Sequence, residues 1–195
     1  MKIACIVEGD GEVAALPILL RRMAEWRSPG EHVEVPTPIR VRRDRFLNRD
    51  DEFRRYLMLA ACKCGEDGWI LVLLDADDDC PATSGALILQ RARNQVPHRS
   101  LAVVLAKREF EAWFIAAASS LSGRRGFNFD PHDSIEPESP RDAKGWIRAR
   151  ISGGHYGEMT DQPAFAALMD LQQAHARSRS FRKLCSEWDR RMGRE

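Results

Sequence analysis

The chain has 195 residues, of which 44% are hydrophobic, enough to bury one good core with at most a small appended subdomain. Its net charge of +1 excludes a chain-wide electrostatic pull toward nucleic acid or an acidic surface. Five scattered cysteines exclude a disulfide framework, and no apolar run suits a secretory leader or a membrane span, so a reduced, cytoplasmic protein without membrane contact is expected. Charge is uneven along the chain: residues 141–195 hold eleven Lys or Arg against seven Asp or Glu, a mildly basic tail. That tail suits a phosphate backbone, although evenly mixed charges of this kind equally describe solvated helix faces.

Ile3-Ala4-Cys5-Ile6-Val7 is a short apolar run that reads as a buried strand, and Glu12–Trp26 follows with Val13, Leu16, Leu19, Leu20 and Met23 on one helical face. Pro17 interrupts that pattern and predicts a kink or a delayed first turn. Residues 32–42 look extended, but Pro36 and Pro38 confine them to an edge or to irregular backbone. Residues 50–64 form a second helix stopped by Gly65, and Trp69–Leu74 a further strand. Helix 84–96, strand 101–106 and helix 109–119 complete an alternation that predicts an α/β fold: a mostly parallel four-stranded sheet with helices on both faces. Residues 123–140 lack apolar periodicity and read as loop, and helices are expected over 141–151, 162–176 and 180–192. Residues 1–122 are thus the α/β core, and 123–195 a loop and C-terminal helical appendage packed on it.

Three charged clusters lie just beyond predicted strands. In a parallel sheet that edge, outside the carboxyl ends of the strands, is where ligands bind. Glu8-Gly9-Asp10-Gly11-Glu12 is too short for a Walker loop and lacks its Lys-Ser/Thr pair. Glu12 also fits as a first-turn acid favoured by the helix dipole, whereas Glu8 has less structural excuse. Asp75-Ala76-Asp77 places two acids at a spacing that shares one side of an extended segment, with a solvated acidic turn as the plain alternative. Converging carboxylates repel unless a cation offsets them, and a hard dication with oxygen ligands does so. Lys107-Arg108-Glu109-Phe110-Glu111 is the third cluster. Glu109 and Glu111 can complete a metal shell or orient water, and Lys107 or Arg108 can balance charge on a phosphate. Phe110, Trp113 and Phe114 read as helix core rather than base stackers. Cys62-Lys63-Cys64 lacks partners for a zinc site, and His155 between glycines fits a turn as well as a functional loop.

Ile6-Val7-Glu8-Gly9-Asp10-Gly11-Glu12 followed by Asp75-Ala76-Asp77 in an α/β alternation resembles a Toprim domain, the catalytic module of type IA and II topoisomerases, DnaG-type primases and OLD-family nucleases. More narrowly, the chain resembles a bacterial and archaeal Toprim-like domain-of-unknown-function family, family 4276, often found beside ATPases in defence-type gene neighbourhoods. Glu109-Phe110-Glu111-Ala112-Trp113-Phe114 is the most specific string; Ser180-Phe181-Arg182, Pro140-x-x-x-Lys144 and Tyr156 are weaker ones. The resemblance implies a Toprim-like fold, Glu8, Asp75 and Asp77 as Mg²⁺ or Mn²⁺ ligands, and Glu12 as an acid serving a second ion. It leaves the role of Glu109 and Glu111 open. Topoisomerases add a tyrosine nucleophile, and Tyr56 and Tyr156 have no such setting, so hydrolysis is favoured over strand passage. The expected function is a metal-dependent nuclease or phosphoryl-transfer enzyme, with Glu8, Glu12, Lys107, Glu109 and Glu111 as catalytic residues, acting on nucleic acid beside a neighbour-encoded ATPase. Glu8 serves as general base in that reading. The alternatives are a non-catalytic Toprim-like partner of an ATPase or nucleic acid, and a phosphatase or nucleotide hydrolase using the same edge.

Overall fold

A computed structural model describes residues 1–193. Four strands, β1 (Ile3–Val7), β2 (Ile39–Arg40), β3 (Trp69–Asp75) and β4 (Ser100–Ala106), form an all-parallel sheet in the order β2-β1-β3-β4. The short β2 sits at one edge, where Pro36 and Pro38 cost no ladder hydrogen bonds, and β4 forms the other edge. Both faces are covered, so β1, β3 and β4 are apolar throughout rather than alternating.

The pleat sorts these side chains into two cores. Ile3, Cys5, Val7, Trp69, Leu71, Leu73, Ala102 and Val104 face one side; Ala4, Ile6, Ile70, Val72, Leu74, Val103 and Leu105 face the other. Helices α1 (Asp10–Arg27), α5 (Ala112–Ala116), α6 (Ala118–Leu121), α7 (Ala143–Arg148), α8 (Glu158–Leu168), α9 (Leu171–Arg177) and α10 (Arg179–Arg191) supply the first core. Helices α2 (Arg43–Asn48), α3 (Asp50–Cys64) and α4 (Pro81–Gln95) cover the second. Residues from both halves of the chain interleave in the first core, where Trp113 donates to Ser180 Oγ at 2.9 Å and Trp188 to Ser28 Oγ at 3.0 Å. No described helix is long and apolar enough to cross a membrane.

Several boundaries depart from the pattern. Helix α2 is too short for a periodic signature and falls within what reads as the approach to α3. Helix α4 begins three residues before the expected start, because Pro81 takes the first helical position, where its missing N–H costs nothing. The expected helix 109–119 is broken: residues 109–111 form a turn, and Ala117 at φ −106°, ψ 19° separates α5 from α6. The expected helix 162–176 is two helices, since Asp170 accepts from the backbone N–H of Gln172 and Gln173 and so starts α9 afresh. Residues 123–140 form no helix or strand, yet Phe127 is buried and bridges to Ile151.

Helix α10 carries the strongest buried charge network. Glu187 is 1% exposed and meets Lys183, Arg190 and Arg191, and Arg191 reaches over to the Leu101 carbonyl of β4. Burial opposes ionisation of Glu187, but the hydrogen bonds from Lys183 and Arg191 outweigh it and lower its pKa. A depressed carboxyl pKa stabilises the fold above the unfolded value near 4.3, and that contribution fades as pH falls through the folded value. Glu187→Gln is therefore expected to cost about 1 to 3 kcal/mol at pH 7 and much less near pH 3, measured by urea denaturation. An equal loss at both pH values would show that packing, not charge, holds the residue.

Candidate functional site

The carboxyl ends of β1 and β3 lie side by side, with Ile6 paired to Val72, so Glu8 and Asp75 emerge at the same sheet edge. Asp75 continues the odd-numbered face of β3 and points into the side covered by α1, α7 and α8. Its Oδ1 accepts the Phe110 N–H at 2.8 Å, which fixes the turn after β4 and brings Glu111 inward. Glu111 is fully buried. Its Oε1 accepts from Tyr156 Oη and Gln162 Nε2, each at 3.1 Å, and its Oε2 has no partner.

Glu12 joins this group from the first turn of α1. Its Oε2 accepts the backbone N–H of Glu8 at 2.9 Å and of Gly9 at 3.0 Å, so it caps its own helix while standing in the acidic cluster. The helix-cap reading of Glu12 thus holds, and the same side chain stands beside Glu8 and Asp75. Gly11 makes the close approach of α1 to α8 possible. A Cβ there would lie 2.1 Å from Gln162 Oε1 and 2.8 Å from the Glu158 carbonyl oxygen.

Lys144 stands among these acids, and Arg43 acts on the group from the Glu8 side. Lys144 is held by α7, its backbone N–H donating to Glu109 Oε2 at 2.9 Å, and its ammonium lies 3.4 Å from Glu158. Burial alone would lower the Lys144 pKa, but the charges of Glu111, Glu158, Asp75 and Glu109 outweigh it and raise it. The carboxyls respond oppositely. Burial and the Glu12 charge push Glu8 up to about 6; burial pushes Glu111 up to about 8. Asp75 is raised well above the ordinary value by burial and by Glu12 and Glu111. Glu12 is raised chiefly by burial. The Tyr156 hydroxyl, buried and bonded to Glu111, is likewise raised and remains a donor. Lys144, with Arg43 at the Glu8 side, does not balance this many buried acids.

Other expected residues lie elsewhere. β3 ends at Asp75, and Asp77 adopts φ +48°, a left-handed conformation that ends the extended alternation on which the Asp75/Asp77 pairing depends. Its carboxylate faces Arg43 of α2 at 3.6 Å, and both stay close enough to Glu8 to shift its pKa, Asp77 upward and Arg43 downward. Arg108, also left-handed at φ +67°, pairs with Asp78. Lys107 donates to the Asp79 carbonyl at 3.1 Å, and the ammonium in the acidic group belongs instead to Lys144. Glu109 acts on α7 through the Lys144 backbone. Phe110, Trp113 and Phe114 are buried core, as expected. Lys144 and Tyr156 carried only weak motif signals in the sequence, and Gln162 and Glu158 carried none, because helix packing alone brings α7 and α8 to this edge.

The chemistry of the donors suits a hard dication. Glu8 Oε2 and Glu111 Oε2 are buried carboxylate oxygens without hydrogen-bond partners, and Asp75 adds a third acid with a single backbone donor. In this conformation no three acidic, histidine or cysteine side chains among the described residues already form a metal-binding group, so side chains must move to close a shell. In cation-free solution the same crowding destabilises the fold. Asp75→Asn keeps an acceptor for the Phe110 N–H and removes a buried charge. It is expected to raise stability by about 1 to 3 kcal/mol at pH 7 in chelator. A raised carboxyl pKa erodes stability as pH climbs above the unfolded value near 3.9, so the gain should vanish near pH 4. Thermal melting at both pH values checks this, and a destabilised variant at pH 7 would contradict it.

No curated protein and no solved structure matches the chain. The family profile described as Domain of unknown function (DUF4276) matches residues 7–188, nearly the whole length. The chain therefore belongs to the DUF4276 family.

Proposed function

We propose that the chain is a divalent-cation-dependent phosphodiester hydrolase acting on nucleic acid, related to the Toprim nucleases. The observation that carries this reading is the acidic group of Glu8, Glu12, Asp75 and Glu111 at the carboxyl end of a parallel sheet, with two orphaned carboxylate oxygens and one balancing lysine. Glu8 and Asp75 would hold Mg²⁺ or Mn²⁺, as the sequence pattern suggests, with Glu111 close enough to Asp75 and Asp77 close enough to Glu8 to raise their pKa values. A dication there supplies a Lewis acid for the scissile phosphate and lowers the pKa of an attacking water. Glu111 offers a free oxygen, Oε2, for a proton, held in place by Tyr156 and Gln162 on its other oxygen. Lys144 offers positive charge to the phosphate. Exposed Arg40, Arg141 and Arg179 provide backbone contacts on the surface around this edge. A neighbour-encoded ATPase and a role in bacterial defence fit the same reading as context.

The second reading is a non-catalytic partner of an ATPase or nucleic acid, and Lys144 favours it, because an ammonium already offsets part of the acidic charge. Calorimetric titration with Mn²⁺, together with cleavage of DNA and RNA, separates the two. On the enzymatic reading the wild type binds Mn²⁺, Asp75→Asn binds at least about tenfold more weakly, and cleavage disappears with it. Lys144→Met, which removes the competing ammonium, binds Mn²⁺ more tightly but cleaves poorly. Absence of both heat and cleavage, with Asp75→Asn behaving as wild type, supports the non-catalytic partner.

A further inference from the structure

The acidic group sits at the carboxyl ends of the strands, and a basic hollow sits at the other end of the same sheet. β3 and β4 pair in register from Trp69 and Ser100 to Asp75 and Ala106, so about 20 Å of strand separates the two places. The hollow encloses about 450 Å³, within the range of small-molecule sites. Trp69 lines it from the start of β3. Arg93 comes from the last turn of α4, Arg190 and Arg191 from the last turn of α10, and Arg99 from the loop before β4.

Asp67 is the one acid in its wall among the described residues. Glu66 pairs with Arg99 at 2.9 Å, and buried Glu187 is shared by Lys183, Arg190 and Arg191. With these flanking groups included, Arg93, Arg99, Lys183, Arg190 and Arg191 outnumber Glu66, Asp67 and Glu187. Arg93 pairs with no acid among the described residues. Burial lowers the Arg191 pKa; Glu187 opposes the shift, and nearby Arg190 and Arg93 add to it. The helix dipole accounts for a basic residue in each last turn. It does not account for Arg99, nor for four guanidinium groups gathered on one hollow.

Two unpartnered atoms identify what is missing. Trp69 is 1% exposed, and its indole N–H meets no acceptor among the described residues. The Arg191 side chain is 10% exposed, lies 4.9 Å over the Trp69 ring and leaves its Nε–H unpartnered. Both groups can only donate, and covered donors without acceptors are uncommon. The unpartnered oxygens of Glu8 and Glu111 call for a cation; these N–H groups call for an anion. We propose that the hollow binds the phosphate monoester of a small molecule. Guanidinium forks match the oxygens of a dianionic phosphate, and the remaining volume accommodates the group that carries it. Cations gathered at one point suit a compact dianion, whereas a nucleic-acid strand needs them along a track. The hollow shares no residue with the acidic group, so it operates whether or not that group hydrolyses phosphodiesters.

The test titrates the full chain with phenyl phosphate in chelator and follows the tryptophan indole N–H resonances by NMR. The Trp69 resonance should move along a saturable curve with a midpoint at or below about 1 mM. That of Trp113, bonded to Ser180, should stay in place. Sodium chloride at matched ionic strength should leave Trp69 unmoved, and inorganic phosphate, which lacks the attached group, should bind more weakly. Arg93 is exposed, so Arg93→Gln should keep the amide spectrum of the fold while weakening phenyl phosphate at least about tenfold. Asp75→Asn should leave the midpoint where it is, which separates this site from the acidic one. A Trp69 resonance that ignores phenyl phosphate, or follows chloride equally, overturns the proposal, as does an unchanged midpoint in Arg93→Gln. So does inorganic phosphate binding as tightly, or an oligothymidine without terminal phosphates binding more tightly. The occupant would then be the free ion or a phosphodiester strand.

Discussion

Mutual repulsion among buried carboxylates is the constraint around which this end of the molecule is built. Glu8 and Asp75 leave adjacent strands, Glu12 enters from α1 and Glu111 from the turn after β4, and Lys144 answers them from α7, with Arg43 at the Glu8 side. Among the described residues, Glu187 and Asp161 are of comparable burial and better served. Glu187 meets three cations, and Asp161 meets Arg125 while accepting the Gly157 N–H. The acidic site is the exception, and buried carboxylate oxygens left without partners at Glu8 and Glu111 point to function.

The surrounding fold holds that arrangement in place. Asp75 pins the turn at Phe110, Glu12 caps α1, and neighbouring Glu109 fixes the start of α7, so these three acids also perform local structural tasks. Gly11 lets α8 approach closely enough for Gln162 to reach Glu111, and the aromatic run Phe110, Trp113 and Phe114 buries the turn from behind. Rotating Asp75 or Glu12 away from the others would therefore break hydrogen bonds at the Phe110 turn or the start of α1, whereas the Glu8 carboxylate can turn without breaking one. The repulsion is held in place rather than relaxed.

Much of this was legible in the residues. Short apolar runs bounded by Gly, Pro and Asp marked β1, β3 and β4, because strands buried on both faces cannot alternate. Acids directly after those runs marked the edge, because strand order in a parallel sheet sends every carboxyl end one way. What failed was local backbone geometry. Asp77 was expected beside Asp75, but a left-handed turn, invisible in a residue that is not glycine, sends it toward Arg43. Helices α5 and α6, and α8 and α9, were each read as one, because apolar spacing continues across a break that only a cap such as Asp170 reveals. Lys144 stood on a helix that reads plainly, yet its partners lie 33 and 69 residues upstream at Glu111 and Asp75, a pairing that only tertiary structure discloses.

Crystals soaked in manganese and measured at the metal's absorption edge give the most direct test of the dication assignment. An anomalous peak bounded by Glu8 and Asp75, with the Lys144 ammonium displaced from it, is the predicted result. A map featureless at this edge at high Mn²⁺, with Lys144 still among the carboxylates, would contradict the account.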